Sequence, residues 1–285
     1  MDLQSLAIKI ARSENLPVLP QVVSTVLRMV DDPNASPKSM ERIIERDAAI
    51  TAKILKVANS PFYGFSQINS INRAIGVLGM NAIRSLVTAI AYQQLITNRQ
   101  GASKFDRLKF WQHSLAAGTA ARILGKIRFP SQAEELYTAA MMHDVGVLVL
   151  ERFMPDMFDQ TYRFAHDLGL SLYQAELQLM GFHHGHVGGL LAEKWGLTGA
   201  MAAAVRYHHD PEEDPGYRET TLLIGAANRI AYQCELGHAD FDRSLDFTEA
   251  EKEVLQMPDE QLTVIRTVVA QEVARAQEGL QIRAA

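Results

Sequence analysis
Imidazole and carboxylate groups are the side chains that bind divalent transition metals, and six of them recur between residues 113 and 209 of this chain: His113, His143, Asp144, His184, His208 and His209. A site built from imidazoles and one carboxylate suits iron, manganese, zinc or nickel better than calcium, which prefers oxygen throughout. Taken singly, each histidine has a plain structural explanation, because imidazoles often bond the last carbonyls of a helix. Taken together, six such groups on or beside apolar helical faces need a shared partner if they are to be buried. His183, His186 and His238 are expected at the surface or behind the ligands, and His166 carries no signal.

The elements that must position these groups are helices. His143 and Asp144 follow the apolar turn AAMM and precede Val145-Gly146, which puts the pair at a helix C-terminus. His208 and His209 are placed alike, since Asp210 precedes Pro211 and the helix must finish by there. Helix C-termini carry partial negative charge, so both pairs sit where a cation is favoured.

Apolar residues recur at three- and four-residue steps almost everywhere, with no sustained period-two alternation, and the chain reads as all-α. Pro20 opens a helix ended by Asp31, Asp32 and Pro33, Ser36-Pro37 caps the next, and Asp47 begins another that stops at Asn59, Ser60 and Pro61. Ser70 and Gly79 bracket a helix followed after a tight turn by one from Asn81, so four or five helices precede residue 100. Later helices are expected around 108–125, 132–143, 157–168, 172–180, 184–194, 198–209 and 219–236. Thr248 with Glu251 makes a capping box, and a last helix near 259–280 carries Leu262, Ile265, Val269 and Val273 on one side, a face that docks on the body or pairs with a second copy in a homodimer. The polar stretch from Thr97 to Arg107 is the plausible linker. The expected division is an N-terminal helical lobe over 1–100, a second helical lobe over 101–240, and docked C-terminal helices over 241–285.

Composition narrows the class. A chain of 285 residues, 47% hydrophobic, can bury a large core. Its single cysteine, Cys234, allows no internal disulfide, and the chain opens on no charged leader with an apolar run, so a reducing cytoplasm is the expected compartment and no membrane a partner. The net charge of -5 divides unevenly: residues 1–100 hold 11 Lys and Arg against 7 Asp and Glu. That surplus is an ordinary solvated surface and makes no case for nucleic acid. Residues 71–96 have the spacing of a DNA-reading helix-turn-helix, yet the second helix offers a groove only Asn81, Arg84, Gln93 and Gln94, so a core hairpin is the better reading and a DNA binder the weakest of three.

The segments LPVLPQVV, ERDAAITAKILKVANS, LGMNAIRSL, MMHDVGVLVL, HGHVGGLLAEKWGL and VRYHHDPEE, over roughly residues 14–230, resemble the HDOD family, a bacterial signalling relative of the HD superfamily of metal-dependent phosphohydrolases. The resemblance implies an N-terminal helical bundle packed against an HD-like lobe. It also implies that His113 is the early helix ligand, His143 and Asp144 the namesake pair, His184 the next histidine, and His208 and His209 the paired histidines. The family's last acid falls on Asn228, whose amide binds a transition metal more weakly and adds no charge. Catalytic relatives follow the pair with Gly-Lys, whereas Gly146 is followed here by Val147, which cannot neutralise phosphate. The cyclic-dinucleotide phosphodiesterase branch carries Gly-Tyr-Pro, and here Arg218 follows Gly216 and Tyr217.

Two readings follow. The favoured one is a regulatory module acting on signalling proteins by protein–protein contact, without hydrolysis and with no catalytic residue, that retains a divalent metal. The alternative is a metal-dependent phosphohydrolase with Asp144 or His143 in the catalytic role.

Overall fold
Local capping chemistry sets where the first helices begin. Ser36 accepts from Ser39 N, Asp47 from Ile50 N and Ser70 from Arg73 N, so each helix opens with a satisfied amide. The computed structural model describes residues 2–12, 20–29, 34–59, 67–97, 105–197, 199–236 and 246–280, and these contain helices and no strand. Among the described residues of the first hundred lie six helices: α1 (Leu3–Arg12), α2 (Gln21–Arg28), α3 (Pro37–Ile44), α4 (Ala48–Ala58), α5 (Ile71–Leu78) and α6 (Met80–Thr97). The extra one against expectation is α1, a short amphipathic helix that buries Leu6 and Ile10. It packs on α12 (His184–Trp195), where Lys194 donates to the carbonyls of Ile10 and Ala11 at 2.9 and 3.2 Å. A cation there satisfies the exposed carbonyls at the end of α1.

The centre of the molecule is α7 (Arg107–Arg128), buried along most of its length and packed against α6, α8 (Ala133–Met142), α14 (Arg218–Gln233) and α16 (Asp259–Leu280). Between these run α9 (Val145–Phe153), α10 (Pro155–Leu168), α11 (Leu172–Met180) and α13 (Gly199–Tyr207), and α15 (Glu249–Leu255) lies on α14. Helix α9 was not anticipated. Its residues from Val145 to Glu151 are all buried, so it shows no polar face and therefore no period of 3.6. Helix α9 also crosses α12 closely: a Cβ at Gly146 would fall 1.9 Å from the His184 carbonyl, so only glycine fits.

The chain bends by 119° between α5 and α6. Helix α6 buries Arg84 and Gln93 and is held to α8 by Ser85 Oγ, which donates to the Glu134 carbonyl at 2.8 Å and accepts from Thr138 Oγ1 at 2.9 Å. Of the expected linker, residues 98–104 lie outside the described residues. Its far end is anchored, since Asp106 caps α7 and Arg107 donates to the Ile96 carbonyl at 3.1 Å while pairing with the buried Glu151. At the C-terminus, Thr248 and Glu251 form the expected capping box, and Leu262, Ile265, Val269 and Val273 are buried where α16 docks on α7 and α14. Among the described residues no single helix is long and apolar enough to cross a membrane.

Candidate metal centre
Five helix-end side chains and one from a helix interior meet at one point. His113 lies inside α7, His143 closes α8, Asp144 opens α9, His184 is the first residue of α12, and His208 and His209 directly follow α13. Asp144 is the hub. Its Oδ2 lies 3.5 Å from His113 Nε2 and 3.2 Å from His143 Nε2, and its Oδ1 lies 3.1 Å from His184 Nε2 and 3.4 Å from His208 Nε2. His184 Nε2 stands 3.3 Å from His208 Nε2 and 2.9 Å from His209 Nε2. The donors thus form two groups sharing Asp144: His184, His208 and His209 on one side, His113 and His143 on the other.

Whether these donors suit a metal is decided by their outer nitrogens. Nδ1 of His113, His143 and His208 lies 3.1, 2.6 and 3.0 Å from the carbonyls of Leu236, Ala140 and Ala204, and Nδ1 of His184 lies 2.7 Å from Glu176 Oε2. These oxygens only accept, so each Nδ1 carries a proton, and each imidazole in its neutral form turns an Nε2 lone pair toward Asp144. The tautomers are thus assigned by the hydrogen-bond pattern. Lone pairs a hydrogen bond's length from one another and from a carboxylate repel unless a proton or a metal ion sits among them. Two donors about 2.1 Å from a common ion stand roughly 3.0 Å apart at a right angle and 3.4 Å at a tetrahedral one, which matches the spacings around Oδ1. The residues fit a transition-metal ion.

With no ion in place, protons take up that position. Burial raises the Asp144 carboxyl, but the positive charge of His143 and hydrogen bonds from His113, His143 and His184 outweigh it and hold Asp144 well below the usual carboxylate range. Burial lowers His184, yet Glu176 and Asp144 on its two nitrogens push it up to about 10. His208 is pulled down to about 4, mainly by burial, and His209 is also pushed down by burial and by the neighbouring imidazoles. The set around Oδ1 thus accepts one positive charge and resists a second carried as protons.

Three residues behind the cluster, Glu176, Tyr173 and Asp210, were not foreseen. Glu176 accepts from both the backbone N and Nδ1 of His184, at 2.8 and 2.7 Å, from a fully buried position. The available signal was its place on the stripe that α11 buries with Leu172 and Ala175. Tyr173 stacks on His209 with ring centroids 4.4 Å apart and donates to Asp210 Oδ1 at 2.8 Å. Asp210 Oδ2 lies 3.0 Å from His183 Nε2. His183 takes the second of the two places expected for it, buried behind the ligands, and caps α12 by accepting from Gly185 N at 3.1 Å. His186 is half-buried beside it, His166 is exposed against Asp167, and His238 lies outside the described residues.

A polar cavity of about 270 Å³ adjoins the cluster through His208 and His209 and is also lined by Tyr173, Asn228, Arg229 and Glu251. Asn228 therefore reaches the neighbourhood of the cluster from α14, with its Oδ1 buried and making no hydrogen bond. Val147 is fully buried in the core of α9 and presents nothing to the cavity.

The sequence profile described as HDOD domain matches residues 16–211. The fold is similar to three crystal structures. An HDOD domain protein of unknown function from Geobacter sulfurreducens is 24% identical with a TM-score of 0.76, the match covering 93% of this chain and 96% of that one. A Marinobacter aquaeolei VT8 protein provisionally named for signal transduction is 20% identical with a TM-score of 0.74, over 96% and 60% of the two chains. A Shewanella amazonensis SB2B protein provisionally named a phosphohydrolase is 22% identical with a TM-score of 0.69, over 96% and 94%. At these identities the likeness establishes the fold. An uncharacterized protein of Treponema pallidum (strain Nichols) is 20% identical over 220 residues, which is 76% of this chain but 42% of that protein's length.

Proposed function
Because the chain belongs to the HDOD domain family, we propose that it is a signalling module that holds a divalent transition metal and acts by contact with other proteins, without hydrolysis. The single observation that carries the metal is the set of imidazoles whose outer nitrogens are pinned so that their Nε2 atoms converge on Asp144. His113, His143, Asp144, His184, His208 and His209 are the residues that would hold it, and iron, manganese, zinc and nickel suit that donor set. When bound, such an ion offsets the Asp144 charge and ties together α7, α8, α12 and α13.

Two positions support a role without turnover. The place where a lysine would meet phosphate is the buried Val147, and the late acid of the pattern is Asn228. The signalling role is supported by the family and by the name given to the Marinobacter aquaeolei neighbour. Hydrolysis of a phosphate ester is the second reading, and the polar cavity against His208 and His209 is what favours it. Elemental analysis of protein purified without chelator is expected to find a transition metal bound to the chain, and an activity screen with cyclic dinucleotides and simple phosphodiesters under each metal is expected to find no turnover. Steady turnover abolished by His143→Ala would establish the second reading instead.

A further inference from the structure
The cavity beside the cluster has one wall that the metal reading does not use. Arg229, on α14, faces it, and both carboxylate oxygens of Glu251, on α15, contact Arg229 Nε at 3.0 and 2.8 Å. Glu251 is buried and also closes the capping box of α15, where its Oε2 accepts from Thr248 N at 2.7 Å while its own amide donates to Thr248 Oγ1 at 3.2 Å. The approach of α15 is permitted by Gly225, where a Cβ would lie 3.0 Å from Glu251 Oε1 and 3.5 Å from the His208 carbonyl. A carboxylate is therefore delivered from the C-terminal segment onto the cavity's guanidinium, beside the polar groups of Tyr173, Asn228 and His209.

A guanidinium is shaped to take planar carboxylates and phosphates through charge-assisted hydrogen bonds. About 270 Å³ is at the small end of ligand cavities, which run to roughly 300–1,000 Å³. We propose that this cavity binds a small oxyanion ligand at Arg229 and that Glu251 is its built-in competitor, so that ligand entry loosens the hold of α15 on α14. The inference deepens the reading above, since His208 and His209 form the cavity's inner wall, but its charge recognition belongs to Arg229 and not to the metal ligands. An arriving anion takes over the guanidinium, the Glu251 carboxylate retains its capping bond to Thr248, and the ion pair between α14 and α15 is lost.

The substitution Glu251→Gln separates capping from competition, because glutamine serves in a capping box as glutamate does but carries no charge to compete for Arg229. Calorimetric titration with inorganic phosphate, and separately with acetate, is expected to show binding to the full chain that tightens about tenfold in Glu251→Gln, the scale of one charge-assisted hydrogen bond. Removing Arg229 alone strands a buried carboxylate and endangers folding, so the companion is the double variant Arg229→Gln/Glu251→Gln, expected to bind neither anion. The relative response to the two probes tells phosphate from carboxylate ligands. Folding is followed by circular dichroism and metal content by elemental analysis of the same samples. A folded Glu251→Gln that binds phosphate and acetate no better than the parent, or a folded double variant that binds as well as Glu251→Gln, would overturn the proposal. Absence of metal from every sample would sink the metal reading alone.

Discussion
The two oxygens of Asp144 look into different surroundings. Oδ2 faces His113 and His143, both completely buried and both held by backbone carbonyls. Oδ1 faces His184 and His208, with His209 beyond them, next to a polar cavity and backed by side chains: Glu176 behind His184, Tyr173 against His209, Asp210 and His183 behind Tyr173. The inner group is thus oriented by main chain, the Ala140 carbonyl of α8 and the Leu236 carbonyl just beyond α14. In the outer group only His208 leans on main chain, the Ala204 carbonyl, while His184 and His209 are oriented by side chains that could change without altering the fold. One carboxylate therefore joins a structural half to an adjustable half, and any ligand arriving from the cavity meets only the adjustable one.

Substitutions test that division in order of severity. Asp144→Asn removes the charge common to both groups and is expected to reduce metal affinity more than about 100-fold, beyond what a residue behind a ligand contributes. Competition against a chromogenic chelator measures it, and a loss confined to a few-fold would mean that the two groups do not depend on their shared carboxylate. Glu176→Gln strikes the outer group alone. It removes the anion that holds His184 Nδ1 and its backbone amide, and about 10- to 100-fold in metal affinity should go with it while the helical content is kept. If Glu176→Gln matched Asp144→Asn in effect, the outer group would be carrying the entire metal.

The halves also differ in how legible they were. Residue types that bind metals, placed at helix ends, announce themselves, and the structure brings His113, His143, Asp144, His184, His208 and His209 together around one carboxylate. Caps at Ser36, Asp47, Ser70 and Thr248 are equally readable, because a cap bonds only two or three residues away. Helix α9 was hidden by its own burial, since a helix wrapped by protein on all sides has no polar face to reveal its period. Glu176 was hidden because an acid within a helix reads as solvated until its neighbours are known, and Glu251 and Arg229 meet only after α15 folds back on α14. In each of these cases the missing information is tertiary. Packing decides which acid is stripped of water and which cation answers it.

The mildest substitution separates stacking from hydrogen bonding in the outer group. Tyr173→Phe keeps the ring against His209, where the centroids are 4.4 Å apart, and removes the hydroxyl that donates to Asp210. Asp210 is still met by His183 Nε2 at 3.0 Å, so its carboxylate is not abandoned. The lost bond is worth about 1 kcal/mol and acts on the metal only through the ring it steadies, so a threefold or smaller loss of metal affinity is expected. Tyr173→Leu takes away the ring as well, and His209 then loses the surface that orients it. If both variants weaken the metal equally, the hydroxyl and Asp210 position His209. If only the leucine variant does, the stacked face is what holds this imidazole in line with His184.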